Sequence, residues 1–193
     1  MAKKNVGNLF FGEWNTKTLV GIAVGAALFG VLMVYGSIPV FTNTQLTSAM
    51  IIPVVVGGLF GPVPAFITLL LGNILADTIG GWGYWFDWSI GNGVLGLFIG
   101  ALPLYGARIR EGIFGVKHAV IYVITAVVGN ALAFGLITPL LTTLIYASDL
   151  EITFLQAFAS GISNTLVLVI IGIPVLILLS RRFRKRSNLS VES

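Results

Sequence analysis

The chain has 193 residues, 56% of them hydrophobic and only 9% charged, with a formal net charge of +4 and no cysteine; its mean hydropathy is +0.99. Soluble domains carry about 25% charged residues, so this composition excludes a water-soluble fold and indicates an integral membrane protein. The lack of cysteine excludes disulfides, thiolate metal sites and cysteine nucleophiles.

A bilayer core of about 30 Å takes about 20 helical residues. After an N-terminal segment, residues 1–17, the first span is expected over about 18–38; it has no small-residue cleavage site and is read as retained. Pro39 then opens the polar run Thr42-Asn43-Thr44-Gln45. A second, shorter span over 46–60 contains Pro53 and Gly57-Gly58, and Gly61-Pro62-Val63-Pro64 breaks the chain. The third, about 65–79, carries Asn73 and Asp77 inside it. A loop with Trp82, Tyr84, Trp85, Phe86, Asp87 and Trp88 leads to a fourth span over 89–105. The fifth, 118–146, is long and interrupted near Thr138-Pro139. The acidic loop Ser148-Asp149-Leu150-Glu151 precedes the sixth, 153–180, and a basic tail fills 181–193.

All eleven Lys and Arg residues fall in three clusters: Lys3, Lys4 and Lys17; Arg108, Arg110 and Lys117; and Arg181, Arg182, Arg184, Lys185 and Arg186. Six spans place all three on one side, which the positive-inside rule makes cytoplasmic. The expected fold is therefore an all-α integral membrane protein with six transmembrane helices and both termini cytoplasmic, residues 18–180 forming the membrane domain. The loops assigned to the outside hold Asp87, Asp149 and Glu151 and no base. The basic clusters are topology determinants, not a nucleic-acid surface.

Candidate functional residues follow from chemistry that is costly in a membrane. Asn73 and Asp77 stand four apart on one helix face, and an ionisable residue inside a span marks a functional site by default. The aromatic loop exceeds what interfacial anchoring needs, and aromatic faces stack on flat rings and attract cations. With Asn43 and Gln45 from the outer loop, and Asn92 and Asn164 from spans four and six, these residues suggest a polar pocket near the outer face. Along the first span Gly21, Ala23, Gly25 and Ala27 form small-residue steps four apart, which let another helix approach closely. His118 has no carboxylate or thiol neighbour to make a metal site, and no Ser-His-Asp set, HExxH or paired carboxylate is present. Binding and transport fit better than enzymatic catalysis, and no cofactor is implied.

Several short segments carry a resemblance: Gly25-Ala26-Ala27-Leu28-Phe29, Asn43-Thr44, Phe60-Gly61-Pro62, Asp77 at the end of the third span, the tryptophan-rich loop, and the glycine-spaced run 91–100. In this order they resemble the substrate-binding S components of energy-coupling-factor (ECF) transporters of the riboflavin-type superfamily. The resemblance implies a six-helix subunit, surrounded by membrane lipid, that captures a vitamin or related micronutrient at its outer face. It implies docking through Ala23 and Ala27 onto a transmembrane coupling subunit bound to two ABC ATPases, with toppling of the S component to deliver the ligand. Similar sequences often have His and Lys near the third-span aspartate, where this chain has Asn73 and Ala76, a departure that favours a neutral or cationic ligand. The competing readings are a structural or assembly membrane protein and a stand-alone facilitator.

Overall fold

The first long helix begins where a side chain can satisfy its free N–H groups. Asn15 accepts from the Thr18 amide at 3.1 Å, and the Thr18 hydroxyl donates to the Glu13 carbonyl at 2.6 Å. In the computed structural model, which describes residues 6–41 and 44–189, this helix is α2 (Thr16–Tyr35), preceded by a short α1 (Val6–Phe11). Gly36 ends α2, its amide donating to Leu32 O at 2.8 Å.

The chain then turns to strand. β1 (Ser37–Phe41) pairs antiparallel with β2 (Thr44–Thr47), Ser37 opposite Thr47, Ile38 opposite Leu46 and Pro39 opposite Gln45. This corrects the all-α expectation, and the first helix ends three residues before the expected span does. Apolar content alone does not separate the end of a helix from a strand, and proline is tolerated in an edge strand such as this one. Asn43 lies outside the described residues.

A tight turn at Ser48–Met50 feeds α3 (Ile51–Phe60), with Pro53 in its first turn, where the missing N–H costs nothing. Gly61, at φ +98°, takes a backbone conformation closed to other residues, and α4 (Pro62–Gly80) runs back from it. α5 (Phe86–Ile99) follows the aromatic loop and packs on α4. At Gly96 a Cβ would stand 2.7 Å from the Ala65 carbonyl oxygen, so only glycine allows this approach. Single-turn helices at Leu102–Tyr105 and Ile109–Glu111 lead to α6 (Val116–Leu132).

The expected interruption at Thr138-Pro139 is instead a widened, π-type turn over Ala133–Ile137, through which α6 continues into α7 (Thr138–Tyr146). The last two helices repeat the device: α8 (Leu150–Val167), a π turn at Leu168–Gly172, then α9 (Ile173–Leu189). Pro139 and Pro174 each stand two residues past their π turn. Widening the coil relieves the clash between a proline ring and the carbonyl four residues back.

Among the described residues five segments are long and apolar enough to cross a membrane: Thr16–Tyr35, Pro62–Gly80, Phe86–Tyr105, Val116–Tyr146 and Leu150–Lys185. Ser48–Phe60, the expected second span, is apolar but shorter. At about 1.5 Å per residue it falls short of a bilayer core of about 30 Å, so where six spans were expected the described residues give five full-length ones and one short apolar helix. The buried core, Phe29, Met50, Val54, Leu69, Leu95, Ile99, Tyr122 and Leu168 among others, runs through the middle of the bundle.

The described basic residues gather at one end. Arg184 donates to Gly112 O at 2.6 Å, and the Arg110 guanidinium lies 4.7 Å above the Phe60 ring. These contacts bring the end of α9, the loop before α6 and the α3–α4 turn together.

Candidate ligand-binding site

At the other end of the bundle is a cavity of about 620 Å³. The hairpin, the C-terminal part of α4, the aromatic loop, the start of α5 and one face of α8 surround it. Eight of the eleven side chains singled out in the sequence line it: Gln45, Asn73, Asp77, Trp82, Trp85, Trp88, Asn92 and Asn164. Trp88 and Phe134 meet with ring centroids 5.8 Å apart, giving the cavity an aromatic wall that continues through Trp82 and Trp85.

The loop holding these indoles is tied at both sides. Gly81, in the left-handed conformation, caps α4, and the Trp82 amide donates to Asp77 O at 3.1 Å. The Asp77 carboxylate reaches forward, its Oδ2 accepting from the Trp85 amide at 3.0 Å. From the far side Tyr146, the last residue of α7, donates its hydroxyl to Tyr84 O at 3.0 Å and accepts from the Phe86 amide at 3.1 Å. Its ring sits 4.8 Å from that of Trp85. The loop is thus a built wall.

Beneath it runs a relay of hydrogen bonds. Asn92 donates one amide proton to Asn73 Oδ1 at 3.0 Å and the other to Trp88 O at 3.1 Å. Asn73 donates to Ser89 Oγ at 3.1 Å, and Ser89 donates to Trp85 O at 3.2 Å. Both terminal carbonyls can only accept, which settles the direction of every donor in the chain. Asn92 Oδ1 is left buried without a partner, and so is Gln45 Oε1 on β2. Buried polar atoms in native proteins are nearly always paired, and these two unpaired acceptors belong to residues that line one cavity.

Two of the expected residues do not line the cavity. Tyr84 points outward and stacks on Phe86 at 6.4 Å between centroids. Asp87 is fully buried between α5 and α7, where the Thr142 hydroxyl donates to its Oδ2. Asp87 begins a helix rather than continuing a loop, so it is rotated away from its neighbours Trp85 and Trp88.

The sequence reading also missed residues. Asp149, Thr153 and Ser160 join Gln156 and Asn164 in lining the cavity from α8. They recur at steps of three or four, so this polar stripe was available as a helical period. Phe134 had no such signal: it stands in the π turn, whose widening only the structure shows. Met33, Thr142, Ser148 and Ile152 also line it; among the described residues the lining includes Asp77 and Asp149 and no Lys, Arg or His. Among the described residues no three His, Asp or Glu side chains converge to hold a metal.

The small-residue steps of α2 divide between two faces. Gly25 is buried, and a Cβ there would come within 2.9 Å of Thr68 and Val56; at Gly21 it would meet the Phe60 ring at 2.5 Å. Ala23 and Ala27 are exposed on the opposite side.

A family model described as ECF-type riboflavin transporter, S component, matches residues 13–181. A UPF0397 protein of Aliivibrio fischeri (strain MJ11) is 36% identical over 179 residues, covering 91% of this chain and 97% of the relative. A UPF0397 protein of Vibrio atlanticus (strain LGP32) is 33% identical over 181 residues, covering 92% and 98%. Among solved structures, the crystal structure of FolT bound with folic acid superposes with a TM-score of 0.61 at 18% identity, covering 88% of this chain and 98% of that one. At that identity the likeness is one of fold.

Proposed function

The chain belongs to the ECF-type riboflavin transporter S-component family, and from that premise we propose that it captures a vitamin or related micronutrient in the cavity under the aromatic loop. The observation that carries the reading is the position of that cavity: it occupies the end of the bundle away from the basic clusters and is lined by eight of the residues expected to bind. By the positive-inside rule the basic end is cytoplasmic. The cavity then faces the outside of the cell membrane, with both termini inside. Delivery runs through a transmembrane coupling subunit and two ABC ATPases, with Ala23 and Ala27 as the docking face. The exposure of these two alanines on a helix whose glycines pack inward supports that assignment, since small exposed residues permit close helix approach. Asn43 is proposed with Gln45 as part of the ligand-binding set.

The test is ligand-dependent quenching of tryptophan fluorescence across a panel of vitamins, with native mass spectrometry of the purified protein. Saturable quenching at micromolar concentration, weakened at least tenfold in Asp77→Ala, is expected. If no compound quenches and no small molecule co-purifies, the capture reading is wrong.

A further inference from the structure

We propose that the groove between α6 and α9, at the basic end of the bundle, binds one anionic phospholipid of the cytoplasmic leaflet. The site needs only the orientation proposed above, and not the capture role of the cavity at the opposite end.

The groove, of about 540 Å³, is lined in the order of a lipid's own parts. Farther from the basic end, Val120 and Val123 of α6 and Ile173 and Ile177 of α9 give it apolar walls. Next comes the hydroxyl of Ser180. At the basic end stand Arg181 and Arg184 of α9 and Gly115, just before α6. Positions 173, 177, 180 and 184 recur at steps of three and four and share one helix face. From Ile173 to Arg184 α9 rises about 16 Å at about 1.5 Å per residue, the depth of one leaflet in a core of about 30 Å. Val116 and Val120 on the facing helix are exposed, so the groove is open to acyl chains along its length.

The donors for a phosphate come from both helices. Arg181 is exposed and has no acidic partner among the described residues. Arg184 gives Nε and Nη2 to Gly112 O, at 3.2 and 2.6 Å, which holds its guanidinium at the rim with Nη1 unspent. Gly115 has no side chain to cap α6, and its own amide donates to His118 Nδ1 at 3.1 Å. The first-turn amides of α6 are therefore left to meet an anion at the positive end of the helix. Among the described residues no Asp or Glu lines the groove, and Glu111 on the adjoining loop is held by Arg108 at 2.6 Å. Basic pockets between membrane helices on the cytoplasmic side suit anionic headgroups. Ser180 separates a lipid from a bare anion. It is 2% exposed, lines the groove one turn inside Arg184, and its hydroxyl has no partner among the described residues. A buried hydroxyl is costly unless it is hydrogen-bonded, and between chain and phosphate the ester carbonyls of a phospholipid supply the acceptor. Free phosphate would satisfy the arginines and leave Ser180 and the apolar walls unanswered.

The experiment is native mass spectrometry of the full-length protein in detergent, loaded with equal amounts of dioleoyl phosphatidylglycerol and dioleoyl phosphatidylcholine. The two share chains, esters and phosphate and differ in net charge. One phosphatidylglycerol per protein should be retained, at least tenfold over phosphatidylcholine, and excess inorganic phosphate should not displace it. Arg181→Gln should lower that retention at least fivefold. Arg182→Gln, which removes the same charge from a neighbour outside the groove lining, should leave it unchanged. Val120→Trp, which fills the open groove from an exposed position, should expel the lipid, and Ser180→Ala should weaken it by a smaller factor. Equal retention of the two lipids, equal effects of Arg181→Gln and Arg182→Gln, displacement by phosphate, or no retained lipid at all would each overturn the site. If Arg181→Gln and Val120→Trp keep the lipid but lose co-purification with a coupling subunit, the groove is a protein-docking surface and the lipid proposal falls. Vitamin-dependent quenching in Arg181→Gln should match that of the unsubstituted protein, so failure here and failure of the capture reading are told apart.

Discussion

Asp77 and Asp87 stand ten residues apart beside the same loop, and as letters they are alike. Their surroundings are not. Asp77 ends its helix against the cavity and spends one oxygen on the Trp85 amide. Asp87 starts the next helix and is sealed against α7 with one oxygen unpaired. The two should therefore separate in experiment. Asp77→Ala is expected to weaken ligand binding at least tenfold with a small change in Tm. Asp87→Ala should leave the Thr142 hydroxyl with only the Thr138 carbonyl and open a void between α5 and α7, costing about 1–3 kcal/mol of stability with ligand affinity unchanged. Thermal unfolding in detergent, paired with fluorescence titration, reads both effects.

Among the elements, α2 shows how a helix without charge in its interior still has two distinct faces. Gly21 and Gly25 lie against the bundle, while Ala23 and Ala27 look away from it. Gly25→Leu is expected to unfold the protein or lower its Tm steeply, because Thr68 and Val56 already fill the space. Ala27→Leu should fold and bind ligand normally and lose co-purification with a coupling subunit. If Ala27→Leu keeps that association, the docking face lies elsewhere. The α3–α5 crossing gives a second pair. At Gly57 a Cβ would stand 2.7 Å from the Gly100 backbone, whereas at Gly135 it would meet nothing within 4 Å. Overpacking typically costs about 1–3 kcal/mol, so Gly57→Ala should lower Tm by several degrees and Gly135→Ala should not. The proline-linked π turns sit at this scale too. A break was the natural reading of Thr138-Pro139, but a widened coil keeps α6 and α7 continuous and turns Phe134 into the cavity.

For the whole molecule, sidedness can be tested directly because the chain has no cysteine of its own. Single-cysteine variants Tyr84→Cys and Glu151→Cys should react with a membrane-impermeant maleimide on intact cells. Arg110→Cys should react only after permeabilisation, and the opposite pattern would invert the proposed orientation.

The sequence by itself determined the class of protein, the clustering of its bases and most of one wall of the site. Hydropathy, charge placement and residue chemistry are local properties: Asn73 and Asp77 announced themselves by being costly in lipid, and the indoles by a density beyond what interfacial anchoring needs. Tertiary structure decided what depends on direction. It decided that residues 37–41 and 44–47 pair as strands and bring Gln45 over the cavity, that Asp87 turns away, and that α8 contributes a polar stripe from more than sixty residues downstream. It also decided that Asn92, with both amide protons already given to Asn73 Oδ1 and Trp88 O, has only its Oδ1 left to accept. Hydrogen-bond direction is a property of a closed network, set where the chain of donors ends on a carbonyl, and no single residue carries it.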